Sequence, residues 1–291
     1  MNRLYSKELV QAWKRVLIDT YGFEEYLDFL IQPSFGKYYL SYLPLINYTD
    51  RNSNEISDLL ELAKDTNYHI RVLNFSYKDF KDFDTVTLRL DIKDKNISEI
   101  KNGYKRLARR SIMINEKYNL TIKEDNIDLF YKIISSIYKN LGTPIFPKSL
   151  LLNFKKYLDN RVKFYIFFDG DDPIGGYMCF YDNRILTLQI GGILQGYKKQ
   201  YSGHYLQHLI IQKNVENYKI DIVDFGRSPY NGGTYFFKTR FGAQPIKIDI
   251  LTNKAKNIYK AYTTASYVWK RLPKSIANTI GPKLSKYLVD L

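Results

Sequence analysis

A single cysteine, Cys179, is all that the 291 residues offer toward thiol chemistry. It excludes an intrachain disulfide and any cysteine-cluster metal site. No apolar run approaches the roughly 20 residues of a membrane span. The longest apolar stretches, such as Phe164-Tyr165-Ile166-Phe167-Phe168, have strand length. The opening residues, Met1 to Lys7, lack the apolar core of a signal peptide, so the expectation is a soluble, cytoplasmic chain. Also missing are a serine elbow of the G-x-S-x-G kind, a G-x-x-x-x-G-K phosphate loop, a dinucleotide fingerprint and a Cys–His pair in a suitable context. Of the three histidines, His204 and His208 lie four apart on one expected helix without a third ligand, and His69 falls in an expected strand. They read as structural, and no metal is expected.

Acidic residues are in deficit as well, 30 against 44 Lys+Arg, which leaves a net charge of +14. The excess of 31 lysines over 13 arginines, with 27 tyrosines, is the bias of AT-rich codon usage. Codon bias does not place charge, however. Residues 101–120 hold six basic side chains and one acid, and residues 251–291 hold eight and one. Two basic patches on a near-neutral body favour an anionic partner: phosphate, nucleic acid or a lipid head-group surface.

Glycine is scarce in the first half, with four of the 16 before residue 151. The pattern there predicts a helix over 6–19, a second near 22–31 and a strand at 38–43. A polar loop follows at 47–54, a helix begins at Ser53, and strands are expected near 69–75 and 85–91. A basic helix is expected from Ser98 to Lys117. Ile100, Tyr104, Leu107 and Ile114 would form its apolar face, and Arg106 and Arg110 would be neighbours on another. Helices over 126–140, stopped by Leu141-Gly142-Thr143-Pro144, and over 148–159 come next. From residue 161 the order β-β-β-α-β-α-β is explicit, with strands at 162–168, 174–181, 185–193, 221–225 and 245–251 and helices from Gly203 and over 234–241. A meander followed by a helical crossover to a splayed strand resembles the core of the Gcn5-related N-acyltransferase fold. The fold class is therefore α/β with a mixed sheet.

Asp224-Phe225-Gly226-Arg227-Ser228 lies at a strand end, and Asn231-Gly232-Gly233-Thr234 opens the helix after it. The carboxyl end of a strand with a glycine-rich loop is where α/β folds hold ligands. Arg227 suits a carboxylate or phosphate, Gly232 and Gly233 free backbone N–H groups for an anion, and Tyr235, Lys238 and Arg240 project from the same short helix. A capped turn with a structural Arg–Asp pair is the plain alternative. The loop before Gly203 carries Gln200 and Gly203 where an acyltransferase cradles a pyrophosphate, but Tyr205 stands where Gly or Ala is expected.

The Asp224–Ser228 block, then Gly233-Thr234-Tyr235, Phe237-Lys238 and Phe241-Gly242, resembles the hallmark of the Fem-like transferases. These are relatives of the peptidoglycan bridge-forming aminoacyltransferases, in the branch associated with bacterial exopolysaccharide and exosortase systems. Leu141 to Pro147, the Arg106/Arg110 helix, Trp269-Lys270-Arg271-Leu272-Pro273 and Tyr39-Leu40-Ser41-Tyr42-Leu43-Pro44 agree with it. The resemblance implies tandem acyltransferase-like domains, the second better preserved, with a basic helical C-terminal tail. The expected division is 1–96, 97–251 (opening with a basic interdomain helix, 97–118) and 252–291.

It further implies transfer of an acyl or aminoacyl group onto an amine of a cell-envelope or polysaccharide precursor, an amine-bearing saccharide for example. The donor would be acyl-CoA or aminoacyl-tRNA, so tRNA is an expected partner, and an anionic membrane contacted by the C-terminal tail is another. The site would be cytoplasmic, at the inner face of the membrane if the tail docks there. On this reading Arg227 and amides near Gly191 and Gly192 anchor an oxyanion or carboxylate, Tyr235 protonates the leaving group, and Asp224 is the base or orients Arg227. Gln200, Gly203, Ser228, Gly232, Gly233, Lys238, Arg240, Arg106 and Arg110 would bind substrate or donor. An acetyl-CoA-dependent N-acetyltransferase and a non-catalytic scaffold for precursor or RNA remain open. Two departures stand out: Tyr48-Thr49-Asp50 replaces the family's Gly-Gly, and the first half is short, as though its opening hairpin were missing.

Overall fold

Ser6 opens the first helix by accepting the Leu9 N–H, and Gly22 closes it at φ 68°. A computed structural model describes residues 5–26, 28–42, 45, 47–49, 53–62, 66–198, 202–253 and 258–288. In chain order the elements are α1 (Lys7–Tyr21), β1 (Glu24–Tyr26), β2 (Phe29–Ser34), β3 (Lys37–Ser41), α2 (Ser53–Leu62), β4 (Asn67–Asn74) and β5 (Thr85–Asp91). Then come α3 (Ile97–Asn102), α4 (Arg106–Asn115), β6 (Thr121–Glu124), α5 (Ile127–Leu141), α6 (Lys148–Leu158), β7 (Val162–Asp169), β8 (Asp172–Asp182) and β9 (Ile185–Ile193). The chain ends with α7 (Gly203–Asn217), β10 (Ile222–Pro229), α8 (Gly233–Thr239), β11 (Gln244–Thr252), α9 (Ile258–Arg271) and α10 (Lys274–Ser285).

The chain forms two compact units, each assembled from separated segments: residues 1–73, 135–160 and 248–291 in one, 74–134 and 161–247 in the other. The expected linear boundaries at 96/97 and 251/252 cut across this grouping. The clearest case is β5, which pairs antiparallel with both β10 and β11 and so lies inside the second unit's sheet.

In the first unit β1, β2 and β3 form an antiparallel meander, and β4 returns parallel to β3 after α2. A helix was expected over 22–31, and the structure has β1 and the start of β2 there. The first half also has its hairpin: Phe35 and Gly36, at φ 43° and 82°, make the two-residue turn that joins Ser34 to Lys37. α1 buries Leu9, Trp13, Val16 and Leu17, with Trp13 edge-on to Phe154 of α6 at 4.6 Å. Lys14 is buried too, its ammonium paired with Glu25 at 2.5 Å and Asp28 at 3.3 Å. The basic tail packs back within this unit. Gly281 lies where a Cβ would come within 3.0 Å of the Ile145 backbone nitrogen, and Gln32 donates to the carbonyls of Lys286 and Leu288.

The second unit repeats the scheme on a larger scale. Its strand order is β11-β5-β10-β9-β8-β7-β6, antiparallel throughout except that β10 returns parallel to β9 after α7. β6 was not foreseen. One sheet face, with Val86, Leu88, Leu186, Leu188, Val223 and Phe225, packs in the same core as Leu206, Ile210 and Ile211 of α7 and Ile100, Tyr104, Ala108 and Ile112 of α3–α4. Burying each such side chain contributes about 2 kcal/mol before entropy is charged against it. The basic helix is broken, not continuous. At Gly103 the chain leaves α3, its carbonyl within 3.1 Å of where a Cβ on Gly242 would lie, and Lys105 is extended before α4 begins.

Candidate functional site

The feature that organises the site is a parallel ladder that stops early. β9 and β10 pair only at Ile185–Thr187 against Ile222–Asp224, although β9 runs on to Ile193 and β10 to Pro229. Among the described residues no further rung joins them. Both strands are irregular at this point: β10 carries a bulge between Asp224 and Arg227, where Gly226 adopts φ 71°, and β9 carries an extra residue, Gln189, opposite the Met178–Cys179 step of β8. β9 meanwhile follows β8, with Gly191 opposite Tyr177 and Gly192 opposite Gly176. Beyond Thr187 and Asp224 the two strands no longer pair with each other.

The bulge also sets which side chains meet. Residues 224 and 227 are an odd number apart and would face opposite ways in a regular strand. The extra residue restores parity: Asp224 lies opposite Arg89 and Arg227 opposite Thr87, so all four share one face. Asp224 is fully buried. Its carboxylate accepts from the Thr87 hydroxyl at 2.7 Å, Arg89 Nε at 2.9 Å and the Gly226 N–H at 2.8 Å. Asp224 thus holds Arg89, an arginine outside the residues expected for the site. The alternation Thr85, Thr87, Arg89, Asp91 along β5 marks a polar strand face and was the available signal.

Ser228 points the other way. It lies opposite Val86, on the core face, and its buried hydroxyl has no hydrogen-bond partner among the described residues. The Gln207 Oε1 atom on α7 is in the same condition, while its Nε2 donates to the Tyr177 hydroxyl at 3.3 Å. Buried polar atoms without partners are rare and call for an explanation. Gly191 has a packing reason to be glycine: a Cβ there would lie 2.1 Å from the Tyr177 ring.

α8 brings the remaining groups in. The Lys238 ammonium donates to the carbonyls of Gly226 at 3.0 Å and Arg227 at 2.7 Å, capping the bulge. Burial lowers its pKa to about 7, against the opposing pull of the Asp224 charge. Tyr235 is half-buried beside Tyr230, ring centroids 4.7 Å apart; burial and the Tyr230 hydroxyl raise its pKa, so it stays protonated at neutral pH. Gly232 packs against Pro229, where a Cβ would come within 2.6 Å of the ring, whereas Gly233 is exposed with open space around it. The Arg240 carbonyl accepts the Lys105 N–H at 2.8 Å.

The start of α7 is occupied by the protein itself. The Ser202 hydroxyl accepts the His204 N–H, Asn115 Oδ1 accepts the Ser202 N–H, and Gly203 lies under the Phe237 ring. Tyr205 is buried in the core. His204 contacts the Phe237 carbonyl and His208 the Tyr104 hydroxyl, and burial lowers both pKa values to about 4, so both are neutral at pH 7. Gln200 lies outside the described residues. Among those described, no cluster of His, Cys, Asp and Glu has the makings of a metal site. Arg106 and Arg110 sit on the exposed face of α4. Among the described residues neither bonds to the cluster around the bulge.

No protein-family model matches the sequence, and no curated protein does. Solved structures do. L-PGS from Bacillus licheniformis aligns with a TM-score of 0.58 at 10% identity, over 94% of this chain and 99% of that one. FemX aligns with a TM-score of 0.55 at 12% identity, over 84% and 85%. The fold is Fem-like. The C-terminal DUF2156 domain of a putative lysylphosphatidylglycerol synthetase from Agrobacterium fabrum, with a TM-score of 0.54 at 9% identity, covers 89% of this chain and 95% of its own. At these identities the likeness establishes architecture. The mixed α/β sheets and the repeated meander–helix–parallel-strand scheme agree with the Fem-like expectation.

Proposed function

We propose that the protein is an acyl- or aminoacyltransferase that moves an acyl group onto an amine of a cell-envelope or polysaccharide precursor. The observation that carries this reading is the early end of the β9–β10 ladder, beside a bulge whose carbonyls hold a lysine of pKa about 7. Acyl transfer requires an amine and an activated carbonyl to be aligned, a proton removed and an oxyanion stabilised. A lysine poised near pH 7 exchanges protons readily in that range, and Tyr235 is a hydroxyl held in its donor form. Arg227 supplies a fork for a carboxylate or phosphate. Ser228, buried with an unused hydroxyl, supplies a hydrogen bond to whatever enters on the core face. Asp224 acts here through structure, fixing the bulge and Arg89.

For the donor, the start of α7 favours aminoacyl-tRNA over acyl-CoA. Ser202 already satisfies the His204 N–H, and Tyr205 fills the core where a small residue would leave room beside a pyrophosphate. The site would work in the cytoplasm, at the inner face of the membrane if the acceptor is lipid-linked.

The test is incubation of the purified protein with a panel of acyl-CoAs and charged tRNAs, following donor consumption by mass spectrometry. Acceptor-dependent deacylation of tRNA supports the reading, and thioester turnover alone selects the acetyltransferase. Inertness toward every donor, with RNA or saccharide binding retained, selects the scaffold. Arg227→Ala and Tyr235→Phe should each lower turnover on the order of a hundredfold. Wild-type turnover in both variants would remove the roles given to these side chains.

A further inference from the structure

The break between α3 and α4 leaves α4 with two unlike faces. Ala108, Ile112 and Asn115 are buried, and they hold the helix on the body of its unit. The opposite side carries Leu107, Met113 and Ile114, which are 57%, 63% and 47% exposed. At about 100° per residue these three fall, with Arg106 and Arg110, within roughly a third of the helix circumference. Lys105, Arg109 and Lys117 are exposed beside them. The single acid of the stretch, Glu116, is engaged by Lys101. Among the described residues no carboxylate pairs with Lys105, Arg106 or Arg110.

We propose that this face of α4 docks the protein on an anionic phospholipid surface, with Leu107, Met113 and Ile114 entering the head-group boundary and the flanking Lys and Arg side chains meeting lipid phosphates. The combination selects the partner. A nucleic acid would be bound by the cations and would leave three large apolar side chains without a use. A protein groove that took the apolar residues would need matching acids for the cations. A bilayer interface rich in anionic lipid satisfies both at once, with the helix lying in the plane of the interface.

Flotation of the full chain with vesicles tests this. The protein should rise with vesicles of phosphatidylcholine and phosphatidylglycerol and stay behind with phosphatidylcholine alone. Replacing Leu107, Met113 and Ile114 together by serine, with every charge retained, should lower partitioning at least about tenfold. Arg106→Glu with Arg110→Glu should abolish it, since each basic side chain at such a surface changes partitioning roughly fivefold. Unchanged far-ultraviolet circular dichroism and melting of the variants, whose altered residues face solvent, would show that the fold is intact. The proposal fails if the wild type does not float with anionic vesicles, or if the serine variant floats equally well. It fails too if Tyr267→Ser with Val268→Ser in α9 removes flotation while the α4 variants keep it, or if the cations prove to serve RNA binding alone.

Discussion

Replacing Asp224 by alanine should be among the most damaging single changes in the second unit. The carboxylate is completely buried and closes an ion pair at 2.9 Å with Arg89, itself only 8% exposed. Removing one partner of a buried pair typically costs about 3–5 kcal/mol, because the remaining charge keeps its desolvation penalty. The Gly226 N–H and the Thr87 hydroxyl lose an acceptor at the same time, each worth roughly 1 kcal/mol, though the contributions overlap. A loss of about 4–6 kcal/mol is expected, a large share of the stability of a typical domain. The assay is equilibrium urea denaturation followed by circular dichroism, with the midpoint compared at constant slope. The informative partner is the double variant Arg89→Met with Asp224→Leu. It removes both charges together and should lie within about 2 kcal/mol of the wild type. An Asp224→Ala protein that loses less than about 1 kcal/mol would refute the reasoning, as would a double variant no more stable than the single.

Acid should destabilise the fold before ordinary carboxylates titrate. His204 and His208 have folded pKa values of about 4, lowered by burial, against about 6.5 unfolded. Between those values the unfolded chain binds more protons, so stability should fall as pH drops from 6.5 toward 4 and be flat above 6.5. Melting temperatures over pH 5–7.5 should show the slope in the wild type and its reduction in a His204→Gln/His208→Gln variant. A wild type equally stable at pH 5 and pH 7 would contradict the buried, neutral assignment. Two glycines offer a further comparison. Gly142 adopts φ 82°, and a Cβ there would lie 2.1 Å from Ser266 Oγ, whereas Gly170, at φ 58°, has nothing within 4 Å. Gly142→Ala should cost about 2–3 kcal/mol and Gly170→Ala about 1 kcal/mol, read as melting shifts; equal shifts would show that contact with Ser266 is not the constraint.

What the sequence made legible, and what it hid, follows from the range of the interactions. The run from β7 to β11 was readable because alternation and Gly/Asp turns are local signals. The segment 22–31 was misread as helix because Phe23, Tyr26, Leu27, Phe29 and Leu30 fit a helical period, while β1 is exposed at all three residues and shows no inside–outside alternation. Leu107 and Ile114 were assigned to the core by continuing the phase set at Ile100. The break after Gly103 resets that phase, so both face solvent. The motif around Asp224 was legible as a block, but its partners were not. Thr87 and Arg89 come from β5, and which face each residue takes depends on the bulge at Gly226.

The location of β5 bears on how the chain reaches its native state. Thr87 and Asp224 are hydrogen-bonded across 137 positions of sequence, and β5 is flanked on both sides by strands made much later. During synthesis β5 must wait, unpaired, until β10 and β11 have emerged. Contacts of such separation slow folding and lengthen the exposure of an unpaired strand edge. A fragment that starts at residue 97 would lack an interior strand of its own sheet, leaving β10 and β11 without the neighbour they share. Division of this protein for expression or for assay should therefore follow the interleaved segments, since the strands of the two sheets together run from Glu24 to Thr252.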